Sequence, residues 1–202
     1  MPNRFVAHRA VRSRGPGVTT YGYKLILEQL RFLQPIQDPR GWLSDQVDQG
    51  TTLITLERRN LLHQAISFSR AGVIEWHHTA ENRPPDTPIW LDPLDVAAHL
   101  YVVGESMEWY HEMISGLPAV NLTYEDDLLT VTDQQRTAET IFNRLGLPLV
   151  PVEARLVRTG ATDPSRSISN FDNIAAIIRE SKYAGYLDAD ADADTEADTA
   201  TD

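Results

Sequence analysis

Thr52-Leu53-Ile54-Thr55-Leu56-Glu57-Arg58-Arg59-Asn60-Leu61-Leu62-His63-Gln64-Ala65-Ile66-Ser67 is the stretch on which the reading of this chain turns. Its first five residues are β-branched or apolar and follow Gly50, the pattern of a short buried strand. Leu62, Ala65, Ile66 and Ser69 then recur at helical spacing, so a helix is predicted over residues 61–71. Arg58 and Arg59 lie at the junction. In an open α/β sheet the carboxyl end of a strand opens on the ligand crevice, and the helix that follows offers free N–H groups to an anion. Arg59 stands at that edge with a planar fork suited to phosphate. Ser67, two helical turns on, can place a hydroxyl on the same side. From these residues alone, an arginine in a surface turn and a serine packed on a helix is the plain alternative.

Outward from this junction, the same two periods recur. Pro118-Ala119-Val120-Asn121-Leu122-Thr123-Tyr124 reads as a second short strand. Lys24-Leu25-Ile26-Leu27-Glu28-Gln29-Leu30-Arg31-Phe32-Leu33 has amphipathic helical spacing, stopped by Pro35. Asp92-Pro93 opens a helix whose apolar periodicity runs to residue 114. Thr132 or Asp133 is expected to cap another, which ends at Leu145-Gly146 with Pro148 just beyond. A last short helix is predicted over residues 173–181. Residues 82–88 form a loop by composition, and residues 151–169 read as irregular. Strands alternating with helices imply a parallel sheet with crossover helices, an α/β domain over residues 17–187. Residues 1–16 are expected to be a flexible arm or remnant, and residues 188–202 a disordered acidic tail. Neither an internal repeat nor a second domain is read.

Composition narrows the classes. The 202 residues contain no cysteine, which removes disulfides, zinc-thiolate sites and cysteine nucleophiles together. No apolar run approaches the roughly eighteen residues of a membrane span, and none follows the first residues as a secretory signal would. A cytoplasmic protein without a membrane span is the simplest expectation. The net charge is −11, but seven of the acids lie in residues 188–202, where there is no base, so the rest is only mildly acidic. Nucleic-acid binding through a basic face is disfavoured. Sixteen of the eighteen bases are arginine, and aspartate outnumbers glutamate. That balance suits a high-salt cytoplasm, although a genome rich in G and C would also replace lysine with arginine.

Arg59 and Ser67, at the end of a strand and eight residues on, resemble the 3′-phosphate motif of the sulfotransferases that use 3′-phosphoadenosine 5′-phosphosulfate. The wording from Arg58 to Ser67 looks most like the bacterial branch that sulfates carbohydrates, including trehalose and nodulation-factor sulfotransferases. Tyr21-Gly22-Tyr23-Lys24-Leu25 looks like that branch's Phe-Gly-x-Lys-Leu segment, and Ala71-Gly72-Val73-Ile74-Glu75-Trp76-His77 is similar to its Gly-Val-Trp-His stretch with two residues intruding. Leu122-Thr123-Tyr124-Glu125-Asp126-Asp127-Leu128, followed by Phe142-Asn143-Arg144-Leu145-Gly146-Leu147-Pro148, looks like the family's Tyr-Glu-Asp-Leu and Phe-Leu-Gly-Leu-Pro pair. Ser167-Ile168-Ser169-Asn170-Phe171 is similar to its closing turn. The matches run in order across residues 21–186.

The resemblance implies a P-loop-like parallel sheet flanked by helices. It implies that Arg59 and Ser67 grip the nucleotide 3′-phosphate, that Arg58 is an auxiliary or alternative ligand, and that Tyr124 lies near the adenine. Arg158 or Arg166 would be a further phosphate ligand. Lys24 would hydrogen-bond the sulfate or bridging oxygen. His77, beside Trp76 and with His78 next to it, could exchange a proton near neutral pH or shape an acceptor pocket. The family's first strand and Gly-Ser/Thr loop, which binds the 5′-phosphosulfate, has no counterpart. Arg12-Ser13-Arg14-Gly15-Pro16-Gly17-Val18-Thr19-Thr20 is similar in composition only, without a strand before it. The chain therefore reads as truncated at its N terminus, and the family's general base as absent with the loop. The function implied is sulfuryl transfer from the activated nucleotide to a hydroxyl of a carbohydrate or glycolipid, with no metal and with a homodimer left open. The alternatives are a truncated, non-catalytic nucleotide-binding protein and an acidic interaction protein.

Overall fold

In the computed structural model residues 20–26, 30, 36–74, 88–153 and 164–188 are described. Their elements run α1 (Pro39–Asp48), β1 (Leu53–Glu57), α2 (Leu61–Ile74), α3 (Pro93–Ile114), β2 (Ala119–Thr123), α4 (Tyr124–Asp127), α5 (Val131–Leu145) and α6 (Phe171–Arg179). Single 3-10 turns stand at Pro164–Arg166 and Ala184–Leu187. Both predicted strands form. They pair in parallel, in a register from Leu53 opposite Ala119 to Glu57 opposite Thr123. Thr55 Oγ1 donates across the pair to Asn121 Oδ1 at 2.8 Å. The chain is thus mixed α/β with parallel pairing, in a sheet that has two strands among the described residues.

Helix starts follow local chemistry. Asp92 accepts the Leu94 N–H at 2.9 Å with Pro93 at the first helical position, and Asp38-Pro39 repeats the device, Asp38 accepting from Gly41 at 2.8 Å. The expected cap at Thr132 or Asp133 is corrected to Thr130. Its hydroxyl accepts the Asp133 N–H at 3.1 Å, and the Asp133 carboxylate accepts the Thr130 N–H at 3.3 Å. Asp133 is the third residue of a capping box, not its first. Gly146, in the left-handed region at φ 65°, lets the Leu147 N–H reach back to the Phe142 carbonyl and close α5. The last helix begins and ends two residues earlier than predicted. Over residues 24–26 the chain is not helical; the rest of that predicted helix, apart from buried Leu30, lies outside the described residues, as do the predicted arm and all of the tail beyond Asp188.

The described residues form two compact units. One holds those up to Thr51 with Ser106–Pro118. It buries Trp42, Leu43, Tyr110 and Met113. Arg40 Nη1 donates to the Glu112 and Met113 carbonyls at 3.1 and 3.2 Å, which are orphan acceptors at the end of α3. The other unit holds Thr52–Glu105 and the described residues from Ala119 onward. Leu62, Leu91, Val96, Leu100, Ile168, Ile174 and Ile178 form its centre, each below 2% exposed. Burying each such side chain contributes about 1.5–3 kcal/mol of transfer free energy. The end of the segment read as irregular, with Asn170 just beyond it, supplies a clamp here. Ile89 and Ile168 form a parallel bridge, and Asn170 takes both the N–H and the carbonyl of Leu91, at 3.1 and 2.8 Å. Its amide imitates a strand partner. No helix of the described residues is long and apolar enough to cross a membrane.

Candidate functional site at the carboxyl ends of the parallel strands

β1 ends at Glu57 and α2 begins at Leu61, which leaves Arg58-Arg59-Asn60 as the whole connection. Asn60, 4% exposed, fixes this turn. Its Oδ1 accepts the Leu62 N–H at 3.0 Å, and its Nδ2 donates to the Tyr186 carbonyl at 3.0 Å. β2 ends at Thr123 and passes directly into α4. Because Glu57 is opposite Thr123 in the register, the two arginines emerge beside Tyr124-Glu125-Asp126-Asp127. The carboxylates divide the work there. Asp127 Oδ2 accepts the Thr123 N–H at 2.7 Å, and Glu125 Oε2 accepts the Arg59 N–H at 3.0 Å. Asp126 Oδ2 accepts from Arg59 Nη2 at 2.5 Å. Arg136 Nη2 donates to the Asp126 carbonyl at 2.7 Å, which holds α4 from the side of α5.

Arg58 takes a different partner. Its guanidinium carbon lies 4.4 Å from the centroid of the Tyr124 ring, a cation–π contact. The Asp126 carboxylate raises the pKa of Arg59 above its ordinary value, by its hydrogen bond first and by its charge second. Arg59 and Asp126 are 59% and 58% exposed, so water competes for both partners and the pair contributes about 0–1 kcal/mol. Two guanidinium groups have been gathered at one edge, but one of the two forks is already engaged.

Ser67 is exposed on α2, and its hydroxyl makes no hydrogen bond among the described residues. At 3.6 residues per turn it lies about 140° round the helix from buried Leu62, on the solvent side. The structure thus brings Arg58, Arg59 and Tyr124 to one edge and does not join Ser67 to them. Arg166 is exposed at the end of the Pro164–Arg166 turn. Lys24 is exposed in the other compact unit. His77 and Arg158 lie outside the described residues.

Comparison with protein-family models, with curated proteins and with solved structures finds no match in any of the three.

Two groupings escaped the sequence reading. Ser69, His99 and Asp95 have the composition of a nucleophilic triad: Ser69 Oγ is 2.9 Å from His99 Nδ1, and Asp95 Oδ2 is 3.5 Å from the same atom. A proton relay needs the hydroxyl and the carboxylate on opposite ring nitrogens. Here they share one, and Ser69 is 3% exposed, so the grouping ties α2 to α3 rather than catalysing. The i,i+4 spacing of Asp95 and His99 was visible in the sequence; the approach of Ser69 was not. The second is the Glu125–Asp126 pair that engages Arg59. Its acidity was legible, but its target depends on strand register. Among the described residues no three His, Cys, Asp or Glu side chains are grouped to hold a metal ion.

Proposed function

We propose that the carboxyl edge of β1 and β2 binds 3′-phosphoadenosine 5′-phosphosulfate, or its desulfo product, in the manner of the sulfotransferases, within a P-loop-like architecture. The observation that carries this reading is the adjacency of Arg58, Arg59 and Tyr124 at the ends of two parallel strands, with Arg58 4.4 Å from the Tyr124 ring centroid. A base needs an aromatic face, and a 3′-phosphate needs planar cationic forks. Both kinds of group stand here within three side chains. Arg59 and Arg58 would hold the phosphate, and Tyr124 would lie along the base. Ser67 would join only through the bound anion, since its hydroxyl meets neither arginine. The residues fit the 3′-phosphate and the base of the nucleotide.

When bound, the nucleotide supplies the activated sulfuryl group. An acceptor hydroxyl of a carbohydrate or glycolipid forms the new S–O bond as the S–O bond to 3′-phosphoadenosine 5′-phosphate breaks. What the chain's own residues contribute is capture and orientation of the nucleotide, with Arg59 and Arg58 neutralising its 3′-phosphate. Calorimetric titration with 3′-phosphoadenosine 5′-phosphate tests this. Arg59→Ala is expected to weaken binding by about 2 kcal/mol, roughly thirtyfold, through loss of a charge-assisted pair. Equal affinity in the variant and the wild type would remove the assignment.

A further inference from the structure

We infer that Asp126 is a built-in competitor for the Arg59 guanidinium, a carboxylate that occupies the anion position and must swing away before a phosphate can bind. The inference rests on the phosphate-binding reading above and concerns how that site is regulated.

The three acids of α4 differ in what holds them. Asp127 is tied to the Thr123 N–H and Glu125 to the Arg59 N–H, and both are backbone donors whose loss would open the strand ends. The Asp126 carboxylate has Arg59 as its single hydrogen-bond partner among the described residues. Its backbone is secured independently, by Arg136 on its carbonyl, so the side chain can rotate without disturbing α4. It is 58% exposed, which gives a displaced carboxylate water to enter. Arg58 contrasts with Arg59: its contact is the Tyr124 ring, and among the described residues no carboxylate engages it. The edge therefore holds one arginine ready for an anion and one closed by an internal anion.

The exchange is chemically even-handed. A carboxylate and a phosphate monoester both present oxygens to the same planar fork, but the monoester carries about −1.5 to −2 charges near neutral pH and three acceptor oxygens. It can engage Arg58 and Arg59 together, which a single aspartate on α4 does not do. Closure by Asp126 then acts as a constant penalty on every anion, and weak or singly charged ones are excluded first. An exposed ion pair of this kind corresponds to about a two- to fivefold change in affinity.

The test is a double-mutant cycle on binding of 3′-phosphoadenosine 5′-phosphate at fixed pH and ionic strength. It uses wild type, Asp126→Ala, Arg59→Ala and the double variant, with Asp126→Asn as a second probe of the carboxylate. Removing the carboxylate is expected to tighten binding about two- to fivefold when Arg59 is present and to change nothing in the Arg59→Ala background. An equal gain in both backgrounds would make Asp126 a distant repelling charge and overturn the competitor. Unchanged or weaker binding in Asp126→Ala and Asp126→Asn would also overturn it, while a thirtyfold loss in Arg59→Ala kept the phosphate site. If neither the wild type nor any variant binds, the phosphate-binding reading itself falls and the inference with it.

Discussion

Gly104 shows what a missing side chain can do. It sits inside α3, where glycine costs about 0.5–1 kcal/mol relative to alanine, so replacement should ordinarily stabilise. Here the phenol of Tyr183 occupies the space a Cβ would take, ring atoms as well as the hydroxyl. Overpacking costs about 1–3 kcal/mol and wins. Gly104→Ala is therefore expected to lower unfolding free energy in urea by the difference, on the order of 1–2 kcal/mol, and Tyr183→Ala in the same background to remove the clash. A stabilised Gly104→Ala would show that the ring does not pack there. Arg59 teaches a related lesson about legibility. A base at a strand's end could be read from its neighbours in sequence, but Asp126 lies 67 residues away, and no local pattern announces the pair.

At the scale of elements, caps were the most readable feature and also the one misplaced by a turn. Asp92-Pro93 announces a helix start in the sequence, and the identical Asp38-Pro39 opens α1 with the same signal. In α5 the sequence offers Thr132 or Asp133 as the cap, because Thr130, Thr132 and Asp133 are all good cap residues within four positions. Only the direction of the hydrogen bonds separates Thr130 from Asp133. The capping box has a pH consequence. The Thr130 hydroxyl first, then the Arg136 charge and the Thr130 N–H, hold the Asp133 carboxyl below its ordinary 3.8. A lowered folded-state value means the ionised form stabilises the fold, so the contribution is present above that ordinary value and is lost as pH falls through the lower, folded one. Wild type is expected to melt higher than Asp133→Asn at neutral pH, with the gap closing below about pH 3.8. A gap that stays constant down to pH 2.5 would show that the carboxylate charge contributes nothing.

For the whole molecule, the division into two compact units was not read from the sequence, because α3 runs without interruption from residues of one unit into residues of the other. A continuous helix carries no composition break. The division predicts separable stability. Arg40 secures the last carbonyls of α3 within the first unit, and a helix-end contact of this kind is worth about 1 kcal/mol. Arg40→Ala is expected to speed amide hydrogen exchange about fivefold in residues 39–48 and 106–118, while amides of β1 and β2 keep their protection. Uniform acceleration across both sets would mean that the molecule opens as one cooperative body.

The sequence by itself determined the two strands, the helix starts at residues 61 and 93, and the turn that closes α5 at Gly146. Periodicity, capping and turn chemistry act within one or two turns of chain, so neighbouring letters suffice to read them. Only the tertiary structure decided that Arg58 meets Tyr124, that Arg59 meets Asp126, that Ser67 faces solvent, and that Ser69 reaches His99. Those contacts join residues whose nearness is set by strand register and by which faces of the helices are buried. Both are properties of the folded chain rather than of any segment in it.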